Sequence, residues 1–313
     1  MTAALMTAQG VGPSVPVLAA AVALQESQEA TSLSGTPLRR PATVPNQAKL
    51  EADLRDAEAA WRQRPDDADA LIWLGRRQGY LWRYRDAIAS FSRGIARWPD
   101  RPEFYRHRGH RYITVRDFAR AQQDFERAAA LIRGKADVIE ADGAPNPAGI
   151  PRSTLQFNIW YHLGLARYLQ GNYTGALDAY VECMKVSTND DSVTATSDWM
   201  WMTLMRLGRT DEARRVLERI TPKMDILENQ SYHRRLLMYK GLESPAALLD
   251  PKADDTTVAT QGYGVGNYYL VTGDRDQARR VFERVVAGAG WNAFGFIAAE
   301  ADLARGLTVG VPR

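Results

Sequence analysis

The chain has 313 residues, of which 45% are hydrophobic and 25% charged, and its 40 basic and 37 acidic residues leave a formal net charge of +3. This composition is not that of an intrinsically disordered chain. The sequence also lacks a block of Lys and Arg, so we expect no nucleic acid as partner. Cys183 is the one cysteine, so the sequence allows neither an intramolecular disulfide nor a cysteine metal site. We expect Cys183 to be a small buried residue.

Residues 1–46 are predicted to form a disordered tail. Within it, VPVLAAAVALQES (16–28) has the length of the apolar part of a signal peptide, and Ala21-Val22-Ala23 has the pattern of a cleavage site. No Lys or Arg precedes Arg39, so the usual basic start is missing. Two interpretations stay open, an exported or periplasmic protein and a cytoplasmic one. No stretch reaches the roughly 18 to 20 apolar residues of a transmembrane helix.

A pattern with a period of 34 residues follows this tail. The same interval separates three pairs of residues: Gly75 and Gly109, Ala87 and Ala121, Phe91 and Phe125. A fixed period of this length is typical of repeat proteins, in which each repeat is one supersecondary unit.

The segment FNIWYHLGLARYLQGNYTGALDAY (157–180) shows what each repeat contains. Gly164 and Ala176 suit two antiparallel helices at their closest approach, where a larger side chain would force them apart. Trp160 and Tyr180 would fill the adjacent space. Gly171 suits the left-handed end of the first helix. The glycines are therefore predicted to be packing and turn residues.

With small residues at its eighth and twentieth places and an aromatic residue at its twenty-fourth, the pattern resembles the tetratricopeptide repeat (TPR) family. The resemblance covers about residues 47–307 and is clearest in the units that start near residues 68, 102, 157 and 259. Near 194, Trp201 replaces the expected glycine. The resemblance implies an all-α, right-handed superhelical solenoid of about six antiparallel helix hairpins with capping helices.

Several segments depart from the period. Residues 134–153 are rich in Gly, Pro and Asp and are predicted to be an inserted loop, either functional or a simple surface insertion. Residues 224–250 are interpreted as a degenerate repeat and 251–261 as a linker. Helices at 47–67 and 291–305 are predicted to cap the array, although the second could instead bind a partner. Residues 308–313 are predicted to be a tail.

The resemblance also implies a concave groove, lined by the first helix of each hairpin, that binds a peptide or a partner protein. The family's groove-facing places fall on Ile72, Arg76, Tyr80, Arg106, His110, Asn158, Tyr161, Leu165, Tyr168, Met202, Tyr263 and Asn267. Tyr, Arg and Met are enriched at protein interfaces, although these side chains could instead pack only against one another.

Some TPR proteins bind the C-terminal tails of chaperones through a basic residue and an asparagine. Ile72 and Arg76 occupy those places here, which disfavours that class. With its possible export signal, the chain is more similar to bacterial envelope TPR proteins than to the chaperone-binding class, and some envelope TPR proteins are adaptors.

The sequence carries no motif of a nucleophilic hydrolase, a zinc protease or a phosphate-binding loop. His107 and His110, three residues apart, are predicted to be helix-surface residues rather than metal ligands. We therefore expect a non-enzymatic adaptor without cofactor or metal, which binds a protein or peptide; a homo-oligomer is compatible with the sequence. One alternative is an enzyme or regulator of polysaccharide or cell-wall metabolism, with Glu140 and Asp142, or Asp190 and Asp191, as its paired carboxylates. A second alternative is a self-associating scaffold.

Overall fold

The computed structural model describes residues 28–141, 143, 145–250 and 252–309, and these residues are mostly helical. The helices, in chain order, are α1 (Gln47–Gln63), α2 (Ala68–Tyr80), α3 (Tyr84–Arg97), α4 (Pro102–Thr114), α5 (Phe118–Ile132), α6 (Leu155–Leu169), α7 (Tyr173–Lys185), α8 (Asp190–Arg206), α9 (Thr210–Glu218), α10 (Gln230–Tyr239), α11 (Asp255–Val271), α12 (Arg275–Val286) and α13 (Phe294–Ala304).

Small residues hold the two helices of each hairpin close together. A Cβ atom added to Gly75 would lie 2.5 Å from Cε1 of Phe91, and one added to Gly164 would lie 2.5 Å from Cε1 of Tyr180. Both distances are shorter than any real carbon contact, so only glycine fits. Ala176 is fully buried. The predicted roles of these positions are confirmed, and the described chain is an all-α solenoid of TPR-like helical hairpins.

Local polar contacts set where the second helices begin. Gly171 has a left-handed backbone with φ of +78° at the end of α6, as predicted. The Asn172 side chain then accepts a hydrogen bond from the Gly175 backbone N–H, and Asp274 caps α12 in the same way through the Gln277 N–H. These caps satisfy backbone donors that a helix start leaves free.

Each first helix of a hairpin contacts the first helix of the next along the series α2, α4, α6, α8 and α11. We call the surface that these helices share the inner face. The degenerate repeat consists of α10 and a short 3₁₀ helix, Pro245–Leu248. Trp201 of α8, at the place of the missing glycine, stacks on Tyr239 of α10 with ring centroids 3.7 Å apart. An aromatic pair thus joins α8 to α10.

The predicted disordered tail over residues 1–46 is wrong for the part that the structure describes. Strands β1 (Gln28–Thr31) and β2 (Pro37–Arg39) form an antiparallel hairpin. Their Ala30 and Leu38 side chains are buried, and Glu29 accepts a hydrogen bond from the Arg85 backbone N–H at the start of α3. Residues 1–27, with most of the apolar segment and the candidate cleavage site, lie outside the described residues.

Cys183 is buried, as predicted. Burial raises the pKa of its thiol to about 12, so the thiolate form is not available at neutral pH. None of the described helices is long and apolar enough to cross a membrane.

The hairpin packing predicts that Ala176→Trp destabilises the fold. Ala176 is fully buried on α7, so the larger ring has no space and overpacking should cost about 1–3 kcal/mol or more. Urea unfolding of the variant measures this cost. Ala130→Trp, at an exposed position of α5, is the matched control and should change stability little. Equal stability of the two variants would contradict the hairpin alignment.

Candidate functional site

The structure divides the predicted groove residues into two groups, although all of them lie on first helices. Toward the N-terminus, Arg76, Tyr80 and His110 are partly exposed, while Ile72 and Arg106 are buried. Toward the C-terminus every predicted groove residue is buried: Asn158, Tyr161, Leu165, Tyr168, Met202, Tyr263 and Asn267. This second group cannot contact a partner, so the prediction that they line an open groove is wrong.

The C-terminal segment of the chain contacts the part of this buried group around Tyr263. Helix α13 packs against α11, α12 and α6. Its Asp302 carboxylate pairs with Arg206 of α8 at 2.6 Å, and both side chains are almost completely buried. Tyr263 donates a hydrogen bond to the same carboxylate at 3.0 Å. The segment predicted to cap the array therefore also occupies its inner face.

Arg206 ties several predicted groove residues to this segment. Its Nε donates to Oδ1 of Asn267 at 2.8 Å, and its Nη1 donates to the Thr308 carbonyl at 3.0 Å. Thr308, which was predicted to begin a tail, is thereby fixed. Burial alone would lower the pKa of Arg206, but Asp302 reverses this effect and holds the pKa above its usual range.

A second buried ion pair lies beside the first. Arg235 of α10 lies 2.8 Å from Asp198 of α8, and neither side chain has any exposed surface. Burial raises the pKa of Asp198 to about 7, although Arg235 opposes the shift. Met202, a predicted groove residue, contacts the Arg235 guanidinium through its sulfur at 2.9 Å. Met202 is therefore part of the buried core.

The same segment reaches back to the N-terminal hairpins. Trp291 packs edge-on against Tyr84 of α3, with ring centroids 5.5 Å apart. Glu300 pairs with Arg116, at the turn between α4 and α5, at 2.8 Å. Trp291 also donates a hydrogen bond to the Arg39 carbonyl at the end of β2. Residues 291–300 thus fasten the array and the β-hairpin together.

A pocket of about 240 Å³ stays open on the inner face of the N-terminal hairpins. Helices α2 and α4 form its walls, and the inserted loop closes one side. Its polar lining consists of Arg76, Tyr80, Arg106, His107, His110, Arg111, Glu140 and Ser153. Four predicted groove residues therefore meet here: Arg76, Tyr80, Arg106 and His110.

Positive charge dominates this pocket. Arg106 pairs with Glu140 of the loop at 2.9 Å. Neither Arg76 nor Arg111 has an ion-pair partner among the residues that the structure describes; Arg76 contacts the Tyr80 hydroxyl at 3.3 Å and lies over the Trp73 ring. Burial and the neighbouring arginines lower the pKa of Arg111. The pocket thus has three cations and one described carboxylate.

Burial and the neighbouring arginines lower the pKa of the histidines beside the pocket and favour their neutral form. Arg106 donates hydrogen bonds to Nδ1 of His107 at 3.2 Å and to Nδ1 of His110 at 3.4 Å. The Nδ1 atom of each ring is therefore an acceptor. Burial lowers the pKa of His107 well below 6.5, and Arg106 lowers it further. Burial lowers the pKa of His162 in the same way. The prediction that His107 is a helix-surface residue is wrong, because its side chain is buried.

The loop between α5 and α6 lies across this pocket. Glu140 donates its backbone N–H to the Ser153 carbonyl, and its carboxylate accepts a hydrogen bond from Asn158 at 3.2 Å. Farther along, the Gly143 carbonyl accepts a hydrogen bond from Arg77 of α2 at 3.1 Å. We call residues 138–141 together with Gly143 the strap.

The acidic residues proposed for an enzyme have other partners. Asp191 is buried and accepts hydrogen bonds from the backbone N–H groups of Leu227, Glu228 and Asn229. Asp190 accepts one from the Asp225 N–H. Asp142 lies outside the described residues. Within the described part of the chain, no group of three or more His, Cys, Asp or Glu side chains is placed to hold a metal ion.

No family model matches the sequence, and no curated protein matches it. Among solved structures, the chain is similar to YrrB, described as a TPR protein with an unusual peptide-binding site, at 14% identity over 80% of this chain and 99% of that chain, with a TM-score of 0.43. It is also similar to a tetratricopeptide repeat protein from Parabacteroides merdae, at 16% identity over 83% of this chain and 94% of that chain, with a TM-score of 0.49. At such distances the TPR-like character rests on the chain's own hairpin contacts.

Removing Asp302 should destabilise the protein strongly. Asp302→Ala leaves the buried Arg206 cation without its carboxylate, which should cost about 3–5 kcal/mol. Asp211→Ala is the matched control, because Asp211 pairs with Arg214 at the same 2.6 Å but both side chains are more than three-quarters exposed. Exposed pairs contribute little. Similar losses in chemical unfolding would contradict the role assigned to Asp302.

The buried histidines should make the fold sensitive to mild acid. The pKa of His162 is lowered in the folded state, so its contribution to stability is present above the unfolded pKa of about 6.5 and is lost as pH falls, by about 1.4 kcal/mol per pH unit. His162→Phe keeps a ring beside Phe125 but removes the titration. Unfolding free energies measured from pH 7 to 5 should fall less steeply for this variant, and parallel curves would contradict the prediction.

Proposed function

We propose that this protein is an adaptor that binds a segment of a partner protein on the N-terminal half of its inner face. The observation that carries the proposal is the asymmetry of that face. Every predicted groove residue of the C-terminal half is buried, whereas α2 and α4 border an open pocket. A partner would therefore bind at α2, α4 and the inserted loop.

The side chains at the pocket mouth support a protein or peptide as ligand. Trp73, Arg76 and Tyr80 of α2 are partly exposed, and the Arg76 guanidinium lies 4.3 Å from the centre of the Trp73 ring. Trp, Tyr and Arg supply most of the residues that dominate binding energy at protein interfaces. Ordered aromatic and guanidinium groups of this kind lose little conformational freedom when a partner binds.

Exposed apolar side chains next to the pocket extend this surface. Val138 and Ile139, which precede Glu140 in the loop, are 53% and 67% exposed, and Ile150 of the same loop is 50% exposed. Exposed apolar groups are common at interaction sites. The loop that borders the basic pocket therefore also exposes apolar side chains, a combination that suits a peptide with both apolar and acidic residues.

A displayed library of random peptides tests this proposal. We expect the wild type to enrich specific peptides and Arg76→Ala/Tyr80→Ala to bind them at least about tenfold more weakly, equivalent to about 1.4 kcal/mol. Arg279→Ala/Arg280→Ala, at exposed positions of α12, is the control and should bind them like the wild type. Circular dichroism checks that each variant folds.

Two results would overturn the proposal. One is a wild type that enriches no peptide. The other is equal affinity of wild type and Arg76→Ala/Tyr80→Ala for the enriched peptides, which would move the binding site away from the inner face.

A further inference from the structure

The strap has the features of a bound peptide. Its residues are not helical, and they pair with the chain that leads into α6 through the single bridge between Ile139 and Thr154. One acidic side chain, Glu140, enters the pocket and is only 11% exposed. The preceding residues Val138 and Ile139 point mostly to solvent. A non-helical segment thus places one carboxylate in the pocket on the inner face.

The attachments of the strap that the structure describes are mostly polar. They include the Glu140–Arg106 ion pair, a contact between Glu140 and His107 at 4.0 Å, the hydrogen bond from Asn158, the hydrogen bond from Arg77 to Gly143 and two backbone hydrogen bonds, from Glu140 to Ser153 and from Leu155 to Val138. Segments that bury little apolar surface open at low free-energy cost.

The pocket would also hold an acidic ligand other than Glu140. Arg76 and Arg111 lack a described carboxylate partner, as shown above, and Arg111 has Arg76 and Arg106 among its electrostatic neighbours. A guanidinium matches a carboxylate with two parallel hydrogen bonds. The chain itself places a peptide carboxylate here, which favours an acidic peptide side chain over a phosphate.

We propose that the pocket between α2 and α4 binds an extended peptide segment through an acidic side chain, and that the strap occupies this site as an intramolecular ligand until such a segment replaces it. This inference rests on the proposed function and adds the chemistry of the ligand and its competitor. The strap is tethered, so it competes at an effective concentration in the millimolar range. Weakening the strap should therefore strengthen the binding of a separate peptide.

The strap sequence itself provides the probe. The peptide KADVIEADG, residues 135–143 with blocked ends, is titrated against the full wild-type chain and against Glu140→Gln. The variant should bind it at least about tenfold more tightly, because its own strap no longer offers a carboxylate to Arg106. The same peptide with the Glu140→Gln change is the control and should bind neither protein. Inorganic phosphate is titrated in parallel.

Hydrogen exchange of the wild type shows whether the strap leaves. The backbone N–H of Glu140 is bonded in the strap pairing, so saturation with the peptide should make it exchange faster, whereas the Leu155 N–H should stay protected because the bound peptide offers it the same Val138 carbonyl. This measurement does not depend on the stability of any variant. Unchanged exchange with the peptide bound would overturn replacement.

The remaining outcomes are equally decisive. Equal affinity of the wild type and Glu140→Gln for the peptide, or no binding to either, would overturn the proposal, as would tighter binding of phosphate than of the peptide. If library peptides still depend on Arg76 and Tyr80 while the strap peptide fails to bind, the adaptor function stands and only the strap exchange is overturned.

Discussion

The buried ion pair between Arg206 and Asp302 is the constraint on which the rest of the structure depends. A solenoid of hairpins is open at both ends, and its repeats contact only their neighbours. Here one carboxylate from the last helix reaches an arginine of α8 at 2.6 Å. A buried cation without a partner would be costly, so this contact requires α13 to lie in the inner face. The array is thereby converted from an open superhelix into a closed body.

This closure explains why the two halves of the inner face differ. Where α13 lies, tyrosine and asparagine side chains form a dry network around Arg206, and no ligand can reach them. Where α13 does not reach, Trp73, Arg76 and Tyr80 keep part of their surface in solvent. The proposed binding surface is therefore defined by what the chain leaves uncovered, rather than by the repeat pattern, which places residues on the inner face in both halves.

The repeat architecture could be predicted because it depends on local spacing. Gly75 opposite Phe91 and Gly164 opposite Tyr180 follow from the length of a hairpin, and the structure confirms both contacts. The turn of Gly171 and the cap of Asn172 are likewise set by neighbours a few residues away. Such features need no knowledge of how distant parts of the chain meet.

The filling of the groove could not be predicted from spacing, because it joins residues far apart in the chain. Arg206 and Asp302 are separated by 96 residues, and Trp291 and Tyr84 by more than 200. One feature of the sequence did indicate this packing. Asp302 and Glu300 stand in the otherwise apolar run FGFIAAEADLA, and a charged residue inside an apolar run indicates a buried partner. The sequence does not say which arginine that partner is.

The hairpin of β1 and β2 was missed for a related reason. Its strands have four and three residues. They are too short for an alternation of apolar and polar residues to be recognised within a polar, proline-containing segment. Its stability comes from Trp291 and from the start of α3 rather than from its own sequence. A two-stranded ribbon is marginal alone, so only the assembled fold makes these residues ordered.

The same ion-pair chemistry recurs at three places in the fold. Asp302 on Arg206 and Glu300 on Arg116 are both supplied by α13, and none of these four side chains is more than 8% exposed. Glu140 on Arg106 is supplied by a loop, and its side chain is 11% exposed beside an open pocket. The third pair therefore differs from the first two less in burial than in support, because its carboxylate comes from a loop beside an open pocket whereas the other two come from a packed helix. The proposed exchange of the strap depends on this difference in support.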